Sequence, residues 1–279
     1  MVSLERFHSV RTTPHFSSDF FSPKVMIGQI TSAEKKIFVV RDDLLPGGTK
    51  QRACAPFLMN LMRQGYRHFV YASPFSGFAQ IALASVCQSL NLQCTLFCEK
   101  DQTQDGQKFH EFSLLAQSYG AQLVLTQTLS EATTKAGLFT QKSTDRKELP
   151  LGFDCDEFRQ ALHEKISVMW TDMIQELPQI PQNIWLPVGS GTLTKTIHSL
   201  VPASVHLKCV NVRVLPENDH RLLQVAKLSR TTLYQSELFF HQPAQDRPQI
   251  PSNLYYDAKL WSFIQQNACD GDLWWNVAR

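Results

Sequence analysis

Two rhythms of apolar positions alternate along this chain. Short runs of consecutive or alternating apolar residues predict strands: "KIFVVR" at Lys36–Arg41, "HFVYAS" at His68–Ser73, "QCTLFCE" at Gln93–Glu99 and "QLVLT" at Gln122–Thr126. Between them, apolar residues recur every three or four positions, as one face of a helix requires. Phe57, Leu58, Leu61 and Met62 form one such stripe, and Leu83, Val86, Cys87 and Leu90 a second. Pro56 fits the first helix if that helix begins only a few residues earlier. A third helix, "FHEFSLLAQSYG", ends at Gly120.

From Gln127 to Asp156 the pattern lapses into Thr, Ser, Lys and Gln, and this stretch reads as a connection. A long amphipathic helix follows, with Phe158, Leu162, Ile166, Met169, Met173 and Leu177 on one face and Pro178 as its stop. A second set begins with the strand "NIWLPVG", the helix "GTLTKTIHSL" and the strand "HLKCVNVRVL". After a polar stretch containing prolines come the helix "DAKLWSFIQQ" and a final strand, "DLWWNV". The chain before Lys36, with Pro14 and Pro23, reads as irregular. Strands alternating with helices at this spacing imply βαβ crossovers, and so an α/β fold with a mostly parallel sheet.

Composition narrows the classes. A chain of 279 residues that is 43% hydrophobic can bury a large core, as one domain or two lobes. A net charge of +2, with both signs interspersed, lacks the clustered cations that a nucleic-acid surface needs. No apolar run approaches the roughly 18 residues of a membrane span, and "MVSLERFHSV" lacks the apolar segment of a secretory signal. Seven cysteines without a Cys-x-x-Cys pair are expected to be buried, reduced thiols of a cytoplasmic protein. Nine scattered histidines give no support to a metal centre.

Two segments carry chemistry. In "LPVGSGTLTKT", Leu186–Thr196, a buried strand runs through Gly189, Ser190, Gly191 and Thr192 straight into a helix. Glycines allow close backbone approach, and the free N–H groups of a first helical turn favour an anion such as a phosphate. A tight turn with capping hydroxyls explains the tetrapeptide equally well. As a P-loop or a dinucleotide fingerprint it fails, because Thr194 stands where either pattern needs a glycine. In "VVRDDLLPGGTKQR", Lys50 follows Pro46-Gly47-Gly48-Thr49 at a strand-to-helix junction. Such a lysine is ordinarily surface decoration. Desolvated in a cleft, it becomes a nucleophile towards aldehydes. Paired with an anion loop, it suggests pyridoxal 5'-phosphate.

The order of these parts resembles the fold-type II pyridoxal-phosphate enzymes, the tryptophan synthase β-like superfamily. Within it, the chain is most similar to the aminocyclopropane-carboxylate deaminase and D-cysteine desulfhydrase branch. "VVRDDLLPGGTKQR" resembles the segment whose lysine forms the imine, here Lys50. "SPFSGFAQIALA" occupies the place of the helix start that grips the substrate carboxylate and the cofactor's ring hydroxyl. "VGSGTL" resembles the phosphate loop and "YYDAK" the Tyr-[Glu/Thr]-Gly-Lys segment, while "DGDLWWNVAR" resembles the closing strand.

The resemblance implies a two-lobed fold of open, twisted, mostly parallel sheets with helices on both faces. Residues 1–52 and 150–279 would form the large cofactor domain and 53–149 the small one. It implies Lys50, Ser76 and Tyr256 as catalytic residues. Gly77, Phe78, Gly189, Ser190, Gly191 and Thr192 would hold the cofactor, with Asp257 as the acidic partner of the pyridine nitrogen. The implied activity is deamination or elimination on a small amino acid, in a homodimer. Three positions depart from the pattern: Gly77 or Phe78 replaces an asparagine, Thr49 replaces another, and Asn276-Val277-Ala278-Arg279 replaces a closing His-Thr-Gly-Gly. They leave open a binding or regulatory protein on the same scaffold.

Overall fold

The computed structural model describes residues 21–101 and 109–279. The irregular start around Pro14 and the Met1–Val10 stretch lie outside them.

Among the described residues, ten strands form two sheets. The larger contains β1 (Ile27–Ser32), β2 (Lys35–Arg41), β7 (Asn183–Val188), β8 (His206–Asn211), β9 (Thr231–Gln235) and β10 (Asp272–Asn276). Its order is β1-β2-β10-β7-β8-β9, with every pair parallel except the β1–β2 hairpin. The smaller sheet contains β3 (His68–Ser73), β4 (Gln93–Glu99), β5 (Gln122–Thr126) and β6 (Arg146–Leu149) in the order β5-β4-β3-β6, all parallel. Eight α-helices accompany them: α1 (Gly48–Arg63), α2 (Ala79–Ser89), α3 (Glu111–Ser118), α4 (Leu129–Thr140), α5 (Asp156–Glu176), α6 (Thr192–Leu200), α7 (His220–Ala226) and α8 (Trp261–Asn267).

Central strands are buried on both faces, which is why they read as unbroken apolar runs. In β10 this puts two tryptophans back to back. Trp275 faces the main core, while Trp274 faces a second cluster and stacks on Trp261 at 6.1 Å. Five of the seven cysteines are buried, Cys155 is half-buried and Cys269 is exposed. Among the described residues no helix is long and apolar enough to cross a membrane.

Several elements differ from the sequence reading. The stretch read as a connection contains α4 and β6. Helix α4 buries only Ala132 and Ala136, too small a stripe to stand out among its threonines. Its signal was the start: Thr128 Oγ1 accepts from the Glu131 N–H at 3.2 Å and Glu131 Oε2 accepts from the Gln127 N–H at 2.6 Å, close to a capping box. Strand β6, "RKEL", is an edge strand that buries Leu149 alone. Strands β1 and β9 are likewise edges with mixed polarity, and α7 is a seven-residue helix inside a polar stretch. Helix α1 begins at Gly48, eight positions before Pro56, and accommodates the proline in its middle.

Candidate active site

The loops at the carboxyl ends of the parallel strands converge on one cleft, the usual place for ligands in open α/β sheets. Gly47 and Lys50 arrive after β2, Pro74 and Ser76–Ala79 after β3, and Leu151 and Gly152 after β6. Gly189 and Ser190 come after β7, Val214 and Leu215 after β8, Val277 and Ala278 after β10. Tyr71, Phe240, Asn253 and Tyr256 complete the lining of a cavity of about 720 Å³, its open mouth included.

Lys50 sits in the first turn of α1, and the turn before it is tightly built. At Gly48, φ is +62° and a Cβ would lie 2.3 Å from the Val277 carbonyl oxygen; at Gly47 a Cβ would lie 2.4 Å from Ala82 Cα. No other residue type fits the pair without moving α2 or the end of β10. Behind the turn, Asp42 is fully buried. It accepts from Arg52 Nε at 2.9 Å and Nη2 at 2.7 Å, from Thr49 Oγ1 at 2.7 Å and from Trp275 Nε1 at 3.2 Å. The Thr49 N–H donates to the Val277 carbonyl at 3.1 Å. The Asp, Thr and Arg of "RDDLLPGGTKQR" thus lock the helix start that presents the lysine.

The lysine itself is unengaged: among the described residues Lys50 has no hydrogen-bond or ion-pair partner. Protein atoms crowd its amine, and desolvation lowers its pKa to about 8, against the attraction of Asp154.

The second segment lies in the same cavity. Gly189 has no room for a side chain, because the Tyr256 hydroxyl would be 2.9 Å from its Cβ. Ser190 Oγ and Thr192 Oγ1 are 3.0 Å apart at the start of α6, whose first-turn N–H groups have no intrahelical acceptors. Thr192 Oγ1 also donates to Asp154 at 3.3 Å, and Arg159 balances that carboxylate at 2.6 Å. Lys195, one turn into α6, bonds Gln224 at 2.8 Å. Burial raises the Tyr256 hydroxyl above its ordinary pKa, and raises Tyr71 to about 12.

At the third segment, Ser76 and Gly77 precede α2. Ser76 Oγ is buried and has no hydrogen-bond partner among the described residues. Phe78 lines the cavity and packs edge-on against Phe112 at 5.3 Å, within an aromatic group that includes Phe75, His110 and Tyr255.

The cavity therefore brings together Lys50, Ser76, Gly77, Phe78, Gly189, Ser190 and Tyr256. Gly191 and Thr192 stand just behind its lining. Asp257 stands outside it: Oδ1 accepts from the Val277 N–H at 2.7 Å and Oδ2 from the Ala278 N–H at 3.0 Å. Burial raises this carboxyl well above the usual range, and those two N–H groups oppose the shift. Sequence reasoning missed Tyr71, Gly152, Phe240 and Asn253. Only Gly152 left a trace, a glycine after Pro150-Leu151, where φ is +71° and a Cβ would meet Ser190 Oγ at 2.9 Å.

No family model matches the sequence, and no curated protein matches it. Solved structures do match. An ACC deaminase homologue superposes with a TM-score of 0.71 at 13% identity, over 92% of this chain and 90% of that one. The O-acetylserine dependent cystathionine beta-synthase from Helicobacter pylori gives 0.68 at 14%, over 94% of each chain. A fungal L-serine ammonia-lyase from Rhizomucor miehei gives 0.62 at 13%, over 91% and 94%. The fold is that of the fold-type II pyridoxal-phosphate enzymes.

The residues present fit that cofactor. An unpaired amine with a lowered pKa suits an aldehyde, and a glycine-flanked helix start suits a phosphate. The unpartnered Ser76 hydroxyl in the same cavity calls for a ligand oxygen.

Proposed function

We propose that the protein is a pyridoxal-phosphate-dependent lyase or deaminase acting on a small amino acid, with Lys50 holding the cofactor covalently. One observation carries this reading: the free, desolvated amine of Lys50 lines the same cavity as Gly189 and Ser190. In it, the loop Gly189, Ser190, Gly191 and Thr192 holds the phosphate, and Gly77 and Phe78 border the ring. When bound, the cofactor supplies an electron sink for the pair left at the substrate Cα. Lys50, with a pKa of about 8, is partly neutral near neutral pH and moves the Cα proton. Ser76 Oγ and the start of α2 receive the substrate carboxylate. Tyr256, kept protonated by its burial, orients the ligand as a hydrogen-bond donor. Any leaving group on the neighbouring carbon departs with its electron pair, and water then hydrolyses the product to ammonia and a 2-oxo acid.

The reading extends to two lobes, 1–52 with 150–279 and 53–149, meeting at the cavity. All four strands of the smaller sheet falling between His68 and Leu149 supports it. It also extends to a cytoplasmic homodimer, which sedimentation of the purified protein would test.

The purified protein is expected to take up pyridoxal phosphate with a visible absorption band. Borohydride reduction and peptide mapping are expected to leave the added mass on Lys50. Wild-type protein that stays colourless after soaking, and so matches Lys50→Ala, rejects the assignment. A second reading, a binding or regulatory protein on the same scaffold, draws on Gly77 or Phe78 at the family's asparagine position and on Asp257 facing the backbone. Sustained release of ammonia, sulfide or 2-oxo acid from any of a panel of D- and L-amino acids rules it out.

A further inference from the structure

The wall formed by the end of β10 and by residues 253–257 carries a polar group that the sequence did not single out. Asn253 lines the cavity and is 2% exposed, and its Nδ2 has no hydrogen-bond partner among the described residues. Its other groups are all fixed. The backbone N–H donates to the Ala278 carbonyl at 2.9 Å, and the backbone carbonyl accepts from Ala258 at 2.9 Å and Tyr256 at 3.2 Å. Oδ1 accepts from the Tyr255 N–H at 3.0 Å. That last bond sets the amide's orientation: oxygen towards Tyr255, nitrogen left without an acceptor among the described residues. A buried donor without an acceptor is unfavourable, and a ligand that offers a lone pair there relieves it. Asp257, the acidic group of this segment, does not line the cavity, and its two oxygens accept from the backbone N–H groups of Val277 and Ala278. The neighbouring Val277 side chain offers no polar atom.

We propose that Asn253, together with Tyr256, binds the ligand at this wall, donating its Nδ2–H to an acceptor atom of pyridoxal phosphate, while Asp257 stays committed to the backbone. This rests on the cofactor reading given above. It changes the chemistry of the wall. An amide N–H stabilises an unprotonated ring nitrogen or a ring oxygen, whereas a carboxylate would favour a protonated nitrogen.

Asn253→Asp isolates the donor, because it keeps an oxygen for the Tyr255 N–H and replaces only the NH₂ with a second acceptor. Asn253→Ser keeps a shorter cap and introduces no charge. The probe is pyridoxal 5'-phosphate, titrated into cofactor-free protein and followed by tryptophan fluorescence and visible absorbance, with thermal melts confirming that each variant folds. Both variants are expected to bind the cofactor about tenfold or more weakly than wild type at pH 8. For Asn253→Asp the deficit relative to wild type is expected to shrink as pH falls, since a protonated carboxyl regains a donor. Folded variants that bind as tightly as wild type overturn the contact and leave the cofactor reading standing. A wild type that takes up no cofactor overturns both. If Asn253→Asp does not fold, Asn253→Ser alone decides between these outcomes.

Discussion

A lysine desolvated in a cavity costs the folded state stability, and replacing Lys50 should reveal how much. In the unfolded chain the amine titrates near 10.5; in the cofactor-free fold it titrates near 8. Between those values the unfolded chain holds a proton that the folded one has released, so stability rises with pH across that window. Below about pH 8 both states are protonated and the full penalty stands. The shift corresponds to roughly 3 kcal/mol, and partial exposure of the lysine to the cavity brings it to on the order of 2 kcal/mol. Lys50→Met keeps the length of the side chain and removes the charge. Cofactor-free Lys50→Met should therefore melt about 4–8 °C above wild type at pH 7. The gap should narrow to about 1 kcal/mol or less by pH 10. Paired melts of the two proteins from pH 7 to 10 cancel every other titrating group. A variant no more stable than wild type at pH 7, or a gap that stays constant with pH, refutes the idea that Lys50 is desolvated.

Arg52→Ala leaves Asp42 charged and fully buried without its cation, and should cost about 3–5 kcal/mol in urea denaturation. The double variant Asp42→Asn/Arg52→Met should recover part of that loss, and a single-variant loss below about 1 kcal/mol would refute the network's role. Gly48→Ala must move the Val277 carbonyl or abandon φ of +62°, so it should lower both the melting temperature and cofactor uptake. Unchanged uptake would separate the glycine turn from the site. Phe78→Asn offers the ring an amide and removes an edge-on contact with Phe112; cofactor affinity should rise about two- to tenfold by fluorescence titration. An affinity that falls instead would show that Phe78 itself packs on the ligand.

Local signals made half of this site legible. Lys50 and the Gly189 loop stand where a buried strand turns into a helix through glycines, and such junctions are written in consecutive residues. The α/β alternation was equally readable wherever strands are buried on both faces, as in β3, β4, β7 and β10. Edge strands β1, β6 and β9 bury too few side chains to leave a pattern. Asn253 and Asp257 illustrate the other limit. Four residues apart, each with one carboxamide or carboxylate, they differ in surroundings because of what the chain after β10 places opposite them: a carbonyl for the Asn253 backbone, two N–H groups for the Asp257 side chain. Nothing near residue 255 in the sequence records that. The motif match pointed to Asp257 because it compares residue types, not the directions in which they face.

The position of β10 has a consequence for how the molecule is made. It lies between β2 and β7, and its Trp275 bonds Thr49 across 226 positions of sequence. During synthesis the Lys50 turn emerges long before its carbonyl acceptor on Val277. The smaller sheet, complete from His68 to Leu149, draws on nearer contacts and can form while the chain is still growing. The larger sheet must wait with its middle open. The amine of Lys50 therefore gains its shelter only when β10 is inserted, and the cavity that it lines with Val277 and Ala278 is unfinished before then.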